Sequence, residues 1–155
     1  MTQIPLTIAV TDAPTAEMRS AIGKQLDGFN QTQIGGPLDF RPLAIPLSDP
    51  DTGEIVGGLL GATIFSYLHV DALFVPASMR RAGWGRKILI EAEAGALRRG
   101  CHGVWLSTFT FQARGFYERL GYSAFGTVDH YPPGHSLVFL SKRLGNQPAP
   151  GATRS

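Results

Sequence analysis

The sequence lacks the features of secreted, membrane-spanning and fibrous proteins. Its 155 residues contain one cysteine, Cys101, which excludes an internal disulfide framework. No segment approaches the roughly 18 consecutive apolar residues that a membrane helix needs, and the N-terminus has no basic region followed by a long apolar stretch. Charged residues make up only 17% of the chain, too few for a coiled coil. We therefore expect a cytoplasmic protein that does not bind membranes.

What the sequence does contain is typical of one folded domain. It is 43% hydrophobic, too apolar for a disordered chain, and its length suits a single core. We expect one domain over residues 1–144 and a loose, flexible C-terminal tail over residues 145–155. No internal repeat is visible.

Hydrophobic periodicity and turn residues predict the order β-α-β-β-β-α-β-α-β-β. This order indicates an α/β fold with a mixed, largely antiparallel sheet flanked by helices. Pro42 and Pro46 place the second strand near a sheet edge, because proline cannot donate to a ladder. The predicted strands are 4–10, 40–47, 55–65, 67–75, 104–108, 123–128 and 136–142; the predicted helices are 14–27, 83–99 and 112–120; residues 28–37 are predicted to form a loop.

Residues 80–87, with the sequence RRAGWGRK, join a strand to a helix. The first backbone N–H groups of a helix have no partner within it and attract anions. Gly83 and Gly85 let a phosphate approach the backbone, and four cations surround them although cations oppose the helix dipole there. This pattern indicates an anion site. The alternative is a solvated basic turn whose glycines serve only tight strand-to-helix geometry.

The spacing excludes two common phosphate-binding motifs and resembles a third. Ile88 stands where a dinucleotide-binding fingerprint has its third glycine, and there is no Walker A loop. The segment from Val75-Pro76 through Arg80-x-x-Gly83-x-Gly85 into a helix is similar to motif A of the GNAT N-acetyltransferase superfamily. Residues 113–122, AxxFYERLGY, resemble its motif B. The resemblance covers residues 55–144.

Membership in this superfamily implies acetyl-CoA as cosubstrate, with no metal. It further implies that the strand ending at Val75 offers backbone groups to the pantetheine arm and that the following turn holds the pyrophosphate. Many relatives have an asparagine at the position of Thr110, so whether Thr110 contacts the cofactor stays open. The implied cofactor-binding residues are Leu73, Phe74, Val75, Arg80, Arg81, Ala82, Gly83, Trp84, Gly85 and Arg86.

The resemblance also implies three catalytic residues. The motif B tyrosine, Tyr117, is the expected acid, because a phenol is protonated at pH 7 and can donate to the leaving thiolate. The base is expected on the strand before Val75, at His69 or Asp71. Histidine titrates near neutral pH, whereas an aspartate would need burial to raise its pKa, so we favour His69; a relay through water remains an alternative. Cys101 is expected to be a buried structural thiol, so transfer would be direct.

The resemblance implies that the hairpin tip at residues 129–135 borders the acceptor site. It places His130, Tyr131 and His135 on a proline-stiffened turn, which is more chemistry than a turn requires. A plain hairpin with surface histidines is the alternative. Two histidines without a third ligand do not indicate a metal site.

The sequence thus predicts an N-acetyltransferase acting on a primary amine, most simply that of a small molecule, with a protein or peptide amine as the alternative. A non-catalytic acyl-CoA-binding module would keep the anion site without needing Tyr117. Nucleic-acid binding is disfavoured by a net charge of only +2. A homodimer is a further expectation from the family.

Overall fold

The computed structural model describes residues 4–145. The chain divides into two compact units, residues 1–38 and residues 39–155, and each is considered by itself. The expectation of one domain over residues 1–144 stays a prediction. The expected tail at residues 145–155 lies outside the described residues apart from Gly145. No helix of the described chain combines the length and apolar character needed to cross a membrane.

The described part of the first unit, residues 4–38, contains one helix, α1 (Ala16–Ile34). The Thr15 hydroxyl begins it by accepting a hydrogen bond from the Met18 N–H, and Gly35 ends it in a left-handed conformation, with φ of 72°. The predicted loop over residues 28–37 is wrong as far as Ile34, because the helix continues past Gly28 and its backbone bonds replace the irregular structure that the polar composition favoured.

The strand predicted over residues 4–10 is also wrong. These residues form no strand and are exposed. Residues 4–38 contain no other strand for them to pair with, and an apolar β-branched run becomes a strand only when another strand supplies its hydrogen bonds.

The second unit is built on a six-stranded sheet with the order β1-β2-β3-β4-β6-β5. Only β3 and β4 run parallel; the other neighbours are antiparallel. The predicted fold class is confirmed, as is the edge position of β1 with its two prolines. The strands are β1 (Arg41–Ser48), β2 (Ile55–Ile64), β3 (Tyr67–Phe74), β4 (Gly103–Phe109), β5 (Ser123–Asp129) and β6 (Ser136–Arg143).

Within residues 39–145 this unit also has two α-helices, α2 (Trp84–Arg98) and α3 (Arg114–Arg119). The apolar residues of α2 recur at helical spacing, so one face of the helix is buried against the sheet. Both helices lie where the sequence predicted them, within two residues at each end. The buried face of α2 consists of Ile88, Leu89, Ala92 and Ala96.

The parallel strands β3 and β4 separate halfway along their length. They pair from Tyr67 with Gly103 to Val70 with Leu106 and no further. Beyond that point β3 still pairs with β2 as far as Phe74, and β4 still pairs with β6 as far as Phe109. An open seam therefore lies between residues 71–74 of β3 and residues 107–109 of β4.

Candidate active site

The turn that follows the seam leads into the bare N-terminus of α2. Residues Ala77–Met79 form a short 3₁₀ turn, and Arg81 and Gly83 then adopt positive φ angles of 72° and 81°. Gly83 is the N-cap and has no side chain to satisfy the first amides of α2. A Cβ on Gly83 would meet no atom within 4 Å. The helix N-terminus therefore opens onto free space, as an anion site requires.

The cations of this turn are exposed and carry no carboxylate partner among the described residues. Arg80 Nε donates to the Val75 carbonyl oxygen over 3.0 Å, and Lys87 Nζ lies 4.6 Å from the centre of the Trp84 ring. The side chains of Arg81 and Arg86 form no hydrogen bond or ion pair within residues 4–145. Their positive charge adds to that of the helix N-terminus and is available to an anion.

Motif A and motif B meet at one point. A Cβ on Gly85 would lie 3.2 Å from Cζ of Phe116 and 3.8 Å from Cγ2 of Val75. Gly85 is in the first turn of α2, Phe116 is on α3, and Val75 follows β3. Glycine at position 85 therefore lets α3 and the end of the seam approach the helix N-terminus closely.

Tyr117 follows Phe116 on α3 and is buried, with 8% of its surface exposed. Its ring packs edge-on against Phe116 and Tyr122, at 5.1 and 5.9 Å between ring centres. Burial raises the pKa of the Tyr117 phenol, which keeps it protonated at neutral pH. The Tyr117 hydroxyl donates to no group among the described residues, whereas Tyr122 donates to Glu93 Oε1 over 3.0 Å. Of these two buried tyrosines, Tyr117 is thus the one whose proton is not already engaged.

His69 and Asp71 are joined on β3. His69 Nδ1 lies 2.9 Å from Asp71 Oδ1, and the His69 ring stacks on Trp105 of β4 with 3.8 Å between centres. A β-bulge lies beside this contact: Val70 pairs with Gly61 and Ala72 with Leu60, so Asp71 has no partner on β2. The bulge sets Asp71 apart from the ladder at the residue where the seam begins.

Thr110, which replaces the asparagine of many relatives, is engaged with β6. Its N–H donates to the Ser136 carbonyl oxygen over 2.9 Å, and its hydroxyl accepts from the Ser136 N–H over 3.1 Å. The neighbouring Gln112 accepts from the Phe109 N–H and the Thr108 hydroxyl. These bonds fix the segment between β4 and α3.

The expected acceptor residues separate into two groups. Tyr131 and His135 join the rings of Phe109 and Phe111, while the exposed His130, at φ of 55°, contacts no other ring of the described chain. Phe109, Phe111 and Trp105 were not predicted as site residues from the sequence. Alternating aromatics that continue past the predicted end of β4 were the available signal.

Other features lie apart from this site. A cleft of about 390 Å³ lies between β1 and α2, toward the C-terminal half of the helix. Cys101 is buried, and burial raises the pKa of its thiol. Within residues 4–145, no three histidine, cysteine or carboxylate side chains cluster as ligands for a metal ion. The residues lining the cleft are Leu43, Ala44, Ile45, Glu91, Gly95, Arg98 and Arg99.

Comparison with known proteins gives a consistent result. The model of the acetyltransferase (GNAT) family matches residues 19–122. Blasticidin-S acetyltransferase of Streptomyces morookaense is 40% identical over 69% of this chain and 81% of its own length. The crystal structure of an acetyltransferase from Bacillus cereus is 31% identical, covers 88% of this chain and 98% of its own, and has a TM-score of 0.78.

The same fold occurs in aminoglycoside 6'-N-acetyltransferase complexed with coenzyme A, at 15% identity and a TM-score of 0.61 over 92% of this chain and 99% of that one. The sequence motifs, the open seam and these similarities agree: the chain belongs to the GNAT family of acetyltransferases.

Proposed function

We propose that this protein transfers the acetyl group of acetyl-CoA directly to a primary amine of a small molecule. The observation that carries the proposal is the convergence at Gly85 of the end of the seam, the bare N-terminus of α2 and the helix that bears Tyr117. This arrangement combines a candidate anion site with a free phenol at the end of a strand that is unpaired along one edge.

The residues around the seam suit acetyl-CoA. The edge of β3 that faces away from β2 lacks strand pairing beyond Val70, so backbone groups there are available to an extended amide-containing chain. The amides of the turn and of the first turn of α2, with the unpaired Arg81 and Arg86, suit a pyrophosphate. We assign the pantetheine arm to Leu73, Phe74 and Val75, and the pyrophosphate to Arg80, Arg81, Ala82, Gly83, Trp84, Gly85 and Arg86.

We assign the base to His69. In the neutral imidazole one ring nitrogen donates and the other accepts. Because Nδ1 lies on the Asp71 carboxylate, its proton belongs there and Nε2 is left to accept a proton from the amine. Stacking on Trp105 fixes the plane of the ring. Asp71 then orients the base.

We assign the acid to Tyr117. Acetyl-CoA supplies a thioester, whose sulfur gains negative charge as the bond to the acetyl carbon breaks. A buried phenol with a raised pKa holds its proton until such a charge develops. The lack of a competing hydrogen bond among the described residues leaves this proton available.

The small-molecule acceptor is supported by the relative from Streptomyces, whose name gives blasticidin-S as its substrate. The acceptor would lie at the β5–β6 hairpin, against Tyr131 and His135, with His130 beside them. These rings lie at the same end of the strands as the seam. The seam is at the C-terminal ends of the parallel strands β3 and β4, and the turn at residues 130–135 leads into the start of β6, which pairs with the C-terminal end of β4.

The first test is thermal unfolding with and without acetyl-CoA, followed by thiol release in the presence of small primary amines. A ligand at 100 times its Kd stabilises the native state by about 2.7 kcal/mol, so a clear rise in Tm is expected. If neither acetyl-CoA nor free CoA raises Tm at millimolar concentration, the proposed function is wrong.

The acid is tested by a matched pair of tyrosine variants. Tyr117→Phe should lower kcat by about 100-fold, the lower range for general acid catalysis, and leave the Kd of acetyl-CoA within about two-fold. Tyr122→Phe should leave kcat nearly unchanged, because the Tyr122 hydroxyl already donates to Glu93. Equal kcat values for the two variants would remove Tyr117 from the reaction.

A further inference from the structure

Four aromatic rings cluster where β4 ends and the β5–β6 hairpin turns. The rings of Phe109 and Phe111 stack nearly parallel, with 5.0 Å between centres and an angle of 5°. Tyr131 lies 5.8 Å from Phe109, and His135 meets Phe111 edge-on at 4.9 Å. We call these four residues the aromatic platform.

The platform lies beside the open seam. Phe109 is the last residue of β4 and belongs to the part of that strand, residues 107–109, that borders the seam. It pairs with Leu137 of β6. Phe109 therefore links the platform directly to the strand edge that lines the seam. A molecule resting on the platform would be at the edge of the sheet where the acetyl group is expected.

Two rings of the platform are more exposed than packing of the fold would require. Phe111 and Tyr131 are 55% and 52% exposed, so their rings add little to the core. Thr110 and Ser136 already hold the end of β4 to β6 through two hydrogen bonds. A contiguous exposed apolar patch in a soluble protein commonly marks a binding surface.

The chemistry of the platform favours a flat ring. Stacked aromatic faces bind planar π systems in an offset arrangement, which a puckered or linear chain cannot reproduce. His135 and the Tyr131 hydroxyl add polar atoms at the margin. The platform contains no carboxylate, the group that would attract a polyamine; the nearby Asp129 accepts a hydrogen bond from the Ser136 hydroxyl.

We infer that the acceptor amine carries a planar aromatic or heteroaromatic group, which binds the aromatic platform while the amine extends toward the seam. The inference rests on the proposed function, since it assigns the substrate class of the same site. Phe109 and Phe111 thereby become specificity-determining residues.

The test compares two amines that differ in ring planarity. 2-Phenylethylamine and 2-cyclohexylethylamine have the same chain and a ring of six carbons, and 1,5-diaminopentane has no ring. Their Kd values are measured by calorimetry on enzyme saturated with CoA, which forms no product. We expect 2-phenylethylamine to bind about five-fold more tightly than 2-cyclohexylethylamine.

Two leucine variants locate the preference. Phe111→Leu should bring the two Kd values within about two-fold, because leucine keeps apolar bulk without a flat face. Phe125→Leu is the matched control: Phe125 is also exposed, but it contacts Phe139 and no ring of the platform. The ratio of the two Kd values should be unchanged in this variant. Thermal unfolding checks that both variants fold.

Three results would overturn the inference: equal affinities for the two ring amines, binding of neither, or tighter binding of 1,5-diaminopentane. The proposed function is judged separately by acetyl-CoA binding and thiol release. Efficient acetylation of 1,5-diaminopentane with no ring preference would reject the aromatic acceptor and leave the acetyltransferase intact. Failure of acetyl-CoA binding would reject the function itself.

Discussion

The two ends of α2 look similar in sequence and differ in the structure. Each has arginines and a glycine with positive φ, 81° at Gly83 and 78° at Gly100. At the C-terminal end, the Arg99 guanidinium donates to the carbonyl oxygens of Arg41 and Pro42 and to the Thr63 hydroxyl. At the N-terminal end, Arg81 and Arg86 have no such partner among the described residues.

This contrast shows how a binding site can be recognised among charged residues. Cations at a helix C-terminus are favoured by the dipole, and Arg99 additionally holds β1 to α2, so its charge serves the fold. Cations at a helix N-terminus are disfavoured unless an anion arrives. An excess of positive charge is therefore informative only where the fold leaves it both unpaired and in an unfavourable field.

The largest effect is expected from placing a carboxylate at each end. Gly83→Glu should weaken acetyl-CoA binding at least about 100-fold, or roughly 2.7 kcal/mol, because the carboxylate occupies the anion site. Gly100→Glu carries the same strain of a positive φ, and its Cβ also meets nothing within 4 Å, yet acetyl-CoA affinity should hold. Calorimetry measures both; similar weakening in the two variants would contradict the comparison.

The next effect separates a structural arginine from a binding arginine. Arg99→Ala should lower the free energy of unfolding by about 2 kcal/mol, because three charge-assisted hydrogen bonds are lost, with acetyl-CoA affinity unchanged. Arg86→Ala should do the opposite: stability within about 0.5 kcal/mol and an acetyl-CoA Kd raised about five-fold. Urea unfolding measures the stability of both variants, and calorimetry measures their affinity for acetyl-CoA. A large stability loss in Arg86→Ala would refute the assignment of Arg86 to acetyl-CoA binding.

The smallest effect concerns the middle of α2, where Glu93 binds Lys142 and Tyr122. Burial, and then the Glu93 charge and hydrogen bond, raise the pKa of Tyr122 strongly. As pH rises, the Tyr122 phenol therefore loses its proton in the unfolded chain, at about pH 10, before it does so in the folded protein. The free energy of unfolding should then fall as pH rises above that value.

Tyr122→Phe isolates this contribution. The variant should lose about 1 kcal/mol at neutral pH with the hydrogen bond to Glu93, and its stability should fall less steeply than that of the parent between about pH 10 and pH 11. Urea unfolding at pH 8, 10 and 11 measures both. A parallel decline in the two proteins would show that the Tyr122 proton is not retained by the fold.

Local sequence decided the elements of the second unit. The apolar spacing of Ile88, Leu89, Ala92 and Ala96 predicted α2, and the two prolines predicted β1 at an edge, because helix periodicity and proline's missing N–H act over a few residues. Motif A and motif B also lie within short segments. Their chemistry could therefore be predicted without knowing what each segment packs against.

Long-range pairing decided the rest. The segment at residues 4–10 has strand propensity without becoming a strand, and the bulge at Asp71 follows from its register with β2. In the seam, β3 stays paired with β2 and β4 stays paired with β6 although β3 and β4 no longer pair with each other. This arrangement involves four strands and cannot be predicted from the residues of β3 or β4 alone. Short motifs were enough to predict the family and the helix that we propose to bind an anion. The place where the strands open and the aromatic rings that meet beside it were set by tertiary contacts, because both depend on segments distant in the chain.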